Sequence, residues 1–135
     1  MTIRIDTIEG IGPVYRAKLE AVGIGTVAAL LAQCGERSAR KMIASATGLR
    51  EAQLLKWVNI ADLMRLEGVG KEFSHLLEAA GVDTVRELKT REPENLCAKL
   101  AEINSLKRLA RRTPRIEDVH AWVSEAKDME ARVFH

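Results

Sequence analysis

A short pattern occurs twice in this chain at a fixed distance, and nothing else in the sequence constrains the fold as tightly. The first copy is Ile8-Glu9-Gly10-Ile11-Gly12, then Pro13 to Val22, then Gly23-Ile24-Gly25-Thr26-Val27. The second is Leu66-Glu67-Gly68-Val69-Gly70, then Lys71 to Ala80, then Gly81-Val82-Asp83-Thr84-Val85. The offset is 58 throughout (68 minus 10, and 81 minus 23), and it also aligns Leu19 with Leu77, Glu20 with Glu78, Ala21 with Ala79, Leu30 with Leu88 and Tyr15 with Phe73. Trp57 and Trp122 correspond as well, but their offset of 65 (122 minus 57) leaves the second copy about seven residues longer. Self-similarity of this kind marks a tandem duplication.

Two glycines flanking one apolar residue make a tight turn, and the amphipathic run after them reads as a helix. Such a turn leaves its amide N–H groups and the next helix's N-terminus pointing outward, an arrangement suited to a phosphate oxygen. Around these turns the spacing predicts an all-α fold of about ten short helices and no sheet. Pro13 starts one helix and Thr26 caps the next; Ala39 to Ala46 and Arg50 to Val58 give two more, with Asn59 and Asp62 capping a short one before the second turn. Thr84 and Glu87 have the spacing of a capping box, Pro93 starts a helix continuing through Asn95 to Ile103, and Thr113-Pro114 opens the last. Ile3 and Ile5 alternate with polar residues, so Met1 to Thr7 is expected to be a short extended arm that caps the core or pairs with another chain.

The length of 135 residues fits a single compact domain, with repeat one at about 8–65 and repeat two at about 66–130. No apolar run approaches the ~20 residues of a membrane span and no signal core begins the chain, so a cytoplasmic location is expected. Cys34 and Cys97 lie 63 residues apart (97 minus 34) without other ligands at metal spacing, which predicts buried thiols and no zinc. No phosphate-binding Gly-rich loop, metalloprotease motif, nucleophile elbow or isolated carboxylate pair is present, and His75, His120 and His135 have no partner at triad spacing. Neither catalysis nor a cofactor nor a small-molecule substrate is expected. Trp57 and Trp122 sit among Leu54, Val58, Val119 and Val123, which predicts core anchors rather than base-stacking platforms.

Charge is balanced overall, with 21 basic and 19 acidic side chains, so any nucleic-acid footprint must be local. The extra material of the second copy, between Asn104 and Pro114, carries Lys107, Arg108, Arg111 and Arg112, and no acid falls between Glu102 and Glu117.

Ile-Glu-Gly-Ile-Gly followed by Leu-Glu-Ala-x-Gly-Ile-x-Thr-Val resembles the helix-hairpin-helix superfamily, whose paired hairpins bind DNA backbone without reading sequence. The longer stretch from Trp57 through Asp62, Leu66 and Gly70, with Gly81 to Leu88 and a closing Trp122, is similar to a bacterial group of tandem helix-hairpin-helix proteins filed as a domain of unknown function. The resemblance covers nearly the whole chain. It implies an all-α, pseudo-two-fold symmetric repeat whose partner is nucleic acid, the alternative being another protein docked on the same helical surfaces.

Carried over by position, the resemblance implies backbone contacts from the amides of Gly10 and Gly12 with Arg16 and Lys18, and from those of Gly68 and Gly70 with Lys71. The basic run Lys107, Arg108, Arg111 and Arg112 would add charge. Glu9, Glu67 and Glu72 stand beside these positions and oppose an anion by Coulomb repulsion, and the two acids of the second hairpin make it the weaker candidate.

Overall fold

A computed structural model describes residues 2–135. Its described residues are all-α: a 3-10 turn at Ile5–Thr7 and eight α-helices, namely α1 (Pro13–Glu20), α2 (Val27–Cys34), α3 (Arg37–Thr47), α4 (Glu51–Leu63), α5 (Lys71–Ala79), α6 (Val85–Leu88), α7 (Pro93–Lys107) and α8 (Ile116–Lys127). About ten helices are expected from the sequence. The count falls partly because Asn59 and Asp62 lie inside α4, both nearly buried, where a separate capped helix was expected. Residues 2–62 with 132–135 form one compact unit, and residues 63–131 form a second.

In each unit the duplicated residues repeat their backbone hydrogen bonds. Ile8 N–H donates to Ile5 O at 3.2 Å and Leu66 N–H to Leu63 O at 3.1 Å; Ile11 then donates to Ile8 O and Val69 to Leu66 O. Gly10 (φ 96°) and Gly68 (φ 81°) occupy the third position of these turns, where a positive φ disfavours any residue with a Cβ. The helix that follows is closed identically. Ile24 N–H reaches Leu19 O at 2.9 Å and Val82 N–H reaches Leu77 O at 3.0 Å, while Gly23 and Gly81 donate to Glu20 and Glu78. This pairing is the Schellman ending, and the four apolar residues that accompany it are fully buried. Gln33 and Arg91, again 58 apart (91 minus 33), donate to the carbonyls of Gly23 and Gly81. Thr26 and Thr84 cap the next helices by accepting from Ala29 N–H at 3.0 Å and Glu87 N–H at 3.3 Å. The Glu87 carboxylate of the expected capping box accepts from Arg91.

Each unit builds its core around one tryptophan. In the first unit Trp57 is 3% exposed and tilts against Tyr15 with ring centroids 5.2 Å apart; in the second, Trp122 is also 3% exposed and meets Phe73 at 5.3 Å. In the second unit α8 packs on α6 and α7, and α5 packs on α7, so Trp122 joins Leu76, Leu77, Leu88, Leu100 and Val119 in one apolar cluster.

The N-terminal arm, of which Met1 lies outside the described residues, is extended only as far as Arg4 and caps the core of its own unit. Arg4 pairs with Thr26 as an antiparallel bridge, with Ile5 N–H on Gly25 O and Val27 N–H on Ile3 O, and the chain then turns into the 3-10 segment. At the other end, residues 132–134 lie across the junction of α2 and α3. Phe134 N–H donates to Gly35 O at 2.8 Å, and Val133 is 3% exposed. Gly35 permits this approach: a Cβ there would stand 2.2 Å from Arg132 O. Arg40, also buried, binds the same strap, giving hydrogen bonds to Cys34 O, Gly35 O and Phe134 O. Cys34 is fully buried, and burial pushes its thiol up to about 11; Cys97 is half-buried, so the expectation of two buried thiols holds for the first alone.

Candidate functional site

The extra segment of the second copy is a structured loop fastened to the first turn of α5, just after the second glycine turn. Asn104, near the end of α7, is buried and holds the loop from inside: its Nδ2 donates to Ala110 O at 3.1 Å and its Oδ1 accepts from Ala110 N–H at 2.9 Å. To make this return the chain reverses at Arg108, which adopts φ 51° and ψ 48°, the sole non-glycine residue with positive φ among the described residues.

The loop then lies against the start of α5. Arg111 donates its main-chain N–H to Glu72 Oε1 at 2.6 Å and its Nε to Glu72 Oε2 at 2.8 Å. Arg112 places its guanidinium 4.8 Å from the centroid of the Phe73 ring and donates to Asp118 Oδ2 at 3.1 Å. Asp118 also accepts from Arg115 N–H at 2.9 Å, which fixes the start of α8 at Ile116, later than Thr113-Pro114 suggests. The main-chain N–H of Arg111 and that of Arg115 hold the carboxyls of Glu72 and Asp118 below their ordinary ranges.

These contacts frame an open cleft of about 700 Å³ lined by Gly70, Lys71, Glu72, Phe73, Arg111 and Arg112. A second depression of about 600 Å³ shares Lys71, Glu72 and Arg111 and adds Arg108 and Asn104. Gly70 at the mouth has φ −105° with nothing within 4 Å of where a Cβ would sit, so neither φ nor crowding there demands glycine. Lys107, at the end of α7, is exposed beside Arg108.

In the first unit, Gly10 and Gly12 repeat the geometry of Gly68 and Gly70, and Gly12 too has open space around it. The basic residues beside them are arranged differently from each other. Arg16 is half-buried and paired with Asp6 at 3.1 Å and Glu20 at 3.7 Å, while Lys18 is exposed. Thus the structure gathers Gly70, Lys71, Arg108, Arg111 and Arg112 around one pair of depressions, at the hairpin ranked lower on sequence grounds.

Residues that shape this site without carrying positive charge escape sequence reasoning. Asn104 reads as one more polar helix residue, and the pairing of Arg112 with Asp118 crosses a loop whose path is not encoded locally. Glu72 is visible in the sequence as an opposing charge, but its grip on Arg111, 39 positions away, is not.

Among the described residues no group of three or more His, Cys, Asp or Glu side chains could hold a metal, and no helix is long and apolar enough to cross a membrane. No curated protein and no solved structure matches the chain. One family model does match, over residues 9–129, from the first glycine turn to just beyond α8, and the chain belongs to that family, described as Domain of unknown function (DUF4332).

Proposed function

We propose that this chain is a helix-hairpin-helix protein that binds nucleic-acid backbone without reading base sequence and without catalysis, using the second glycine turn and the basic loop as its main contact. The observation that carries the reading is Arg108. A residue with a Cβ in the left-handed region is strained by roughly 1 kcal/mol relative to glycine, and such strain concentrates where a side chain is needed for function. Here that side chain is a cation on the rim of a depression also lined by Lys71 and Arg111. Gly70 adds a second support: a bare backbone next to a helix start, at a place where glycine is not required by crowding, lets a phosphate approach the amides. Gly10, Gly12 and Lys18 of the first unit supply a smaller contact of the same kind. Such a role fits the cytoplasm of a bacterium, where the nucleic acid is.

A mobility-shift titration on duplex, branched and single-stranded DNA at two salt concentrations tests the reading. If roughly four phosphates are neutralised, log K should fall with log salt at a slope of about −3 to −4, with little dependence on sequence. A docking surface for another protein is the competing reading. It draws, within the first unit, on Val14 and Met42, which are 68% and 73% exposed on α1 and α3. That reading predicts binding to a folded partner that salt barely alters, because apolar burial is little screened. Absence of any shift at low salt with micromolar protein would leave the docking surface as the better account.

A further inference from the structure

Glu72 occupies donors that a phosphate would want. Its two carboxylate oxygens take the Arg111 main-chain N–H at 2.6 Å and the Arg111 Nε at 2.8 Å, a two-point grip of the sort arginine also gives a phosphate. The arrangement is not part of the core. Arg111 is 93% exposed along its side chain, and exposed ion pairs add little to stability. The loop has its own anchor in the Asn104–Ala110 pair, so the Glu72 contact is not its only fastening. Both residues line the open cleft with Lys71 and Arg112, so an incoming anion meets the carboxylate and its donors together.

We propose that Glu72 is a built-in competitor for the phosphate site, holding the Arg111 main-chain N–H and guanidinium until nucleic-acid backbone displaces it. The inference rests on the nucleic-acid reading above and adds a selection rule to it. A lone inorganic phosphate competes poorly with a carboxylate tethered beside the same donors, since the tether keeps the local concentration of the competitor high. A polyanion engages Lys71, Arg108 and Arg112 at once and gains enough elsewhere to dislodge Glu72. The cleft therefore discriminates by density of phosphates, through a repulsive element placed inside the site.

The test compares wild type with Glu72→Ala and Glu72→Gln in titrations with a mixed-sequence DNA duplex and with inorganic phosphate. Matched thermal melts and the amide resonance of Arg111 accompany the titrations. Glu72→Ala should bind duplex about fivefold tighter, the factor expected when one contact repulsion in water is removed. Its salt slope should steepen by about one as Arg111 takes a phosphate. It should also acquire phosphate binding at Arg111 that wild type lacks. Glu72→Gln, which keeps the volume and one neutral acceptor, should fall between the two. If wild type shifts duplex and the folded variants bind it equally or more weakly, the competitor role is overturned and the nucleic-acid reading stands. If neither wild type nor variants shift duplex, both are overturned.

Discussion

Trp122 points the nitrogen edge of its indole at Gly68, with Nε1 3.9 Å from where a Cβ on that glycine would stand. Trp57 does the same to Gly10 at 3.5 Å. The tryptophan thus lies beside the glycine turn, so the core residue of each unit and its turn are neighbours. Replacing Trp57 or Trp122 by Ala should destabilise by about 3 to 5 kcal/mol, the range for large buried aromatics, and thermal or denaturant melts will measure it. Phe73→Leu should cost less, about 0.5 to 1.5 kcal/mol for the lost ring pair beyond its area.

The two glycines of the second turn should separate stability from binding. Gly68→Ala forces a Cβ into positive φ and should cost more than the ~1 kcal/mol that a strain-free change can gain. Gly70→Ala meets no neighbouring atom and should leave the melt nearly unchanged while weakening duplex binding. Equal destabilisation by both changes would show that Gly70 is structural after all.

Arg108→Gly should raise stability by roughly 1 kcal/mol, since glycine accepts the left-handed conformation freely. It should lower affinity for duplex on all sequences alike and make the salt slope shallower by about one. A gain in stability with no change in binding would remove the strain argument for a functional cation at this position.

Much of this was legible in the sequence because the duplication made each copy a check on the other. The glycine turns, the two Thr caps and the burial of both tryptophans follow from short-range spacing, and each recurs at its counterpart. What was hidden depends on distant pairs. The loop from Lys107 to Arg112 shows its charge at once, but its seat comes from Glu72 on α5, Asn104 on α7 and Asp118 on α8, and the Glu72 partner lies 39 positions away. A further helix that the sequence suggests does not form, for a related reason. Asn59 and Asp62 look like caps, yet the buried face of Trp57, Val58, Ile60 and Ala61 carries α4 straight through them. The N-terminal alternation leaves open whether the arm caps the core or pairs with another chain, and the backbone partners at Gly25 to Val27 decide for the first.

Acid should loosen the basic loop before it unfolds the core. Glu72 and Asp118 titrate below their ordinary values of 4.5 and 3.8 because main-chain N–H groups and arginines favour their charged forms. A depressed carboxylate contributes stability that is present above its ordinary value and lost as pH falls through the lowered one. The Arg111 and Arg115 amide resonances should therefore hold steady as pH falls from 7 to the ordinary carboxylate range, each moving only below the ordinary value of the carboxyl it binds. Movement centred near pH 6 would contradict the assignment.

The cysteines should differ in reactivity. Cys34 is enclosed, with its thiol raised to about 11, and at pH 8 should resist a thiol reagent in the native state. Cys97, half-buried with Sγ 3.8 Å from Pro114 O, should react first. Mass mapping of a partially modified sample will show which sulfur carries the label.

The strap at residues 132–134 has a consequence for how the chain is made. The first unit includes Arg132–His135, so its buried Arg40 lacks the Phe134 carbonyl until all of residues 63–131 have been translated. At about 5 to 20 residues per second that interval lasts roughly 4 to 14 s, far longer than helices need to form. During it the first unit lacks the contacts of Arg132, Val133 and Phe134 at the junction of α2 and α3, while the second unit is continuous in sequence. The half that is synthesised first is the half that is finished last.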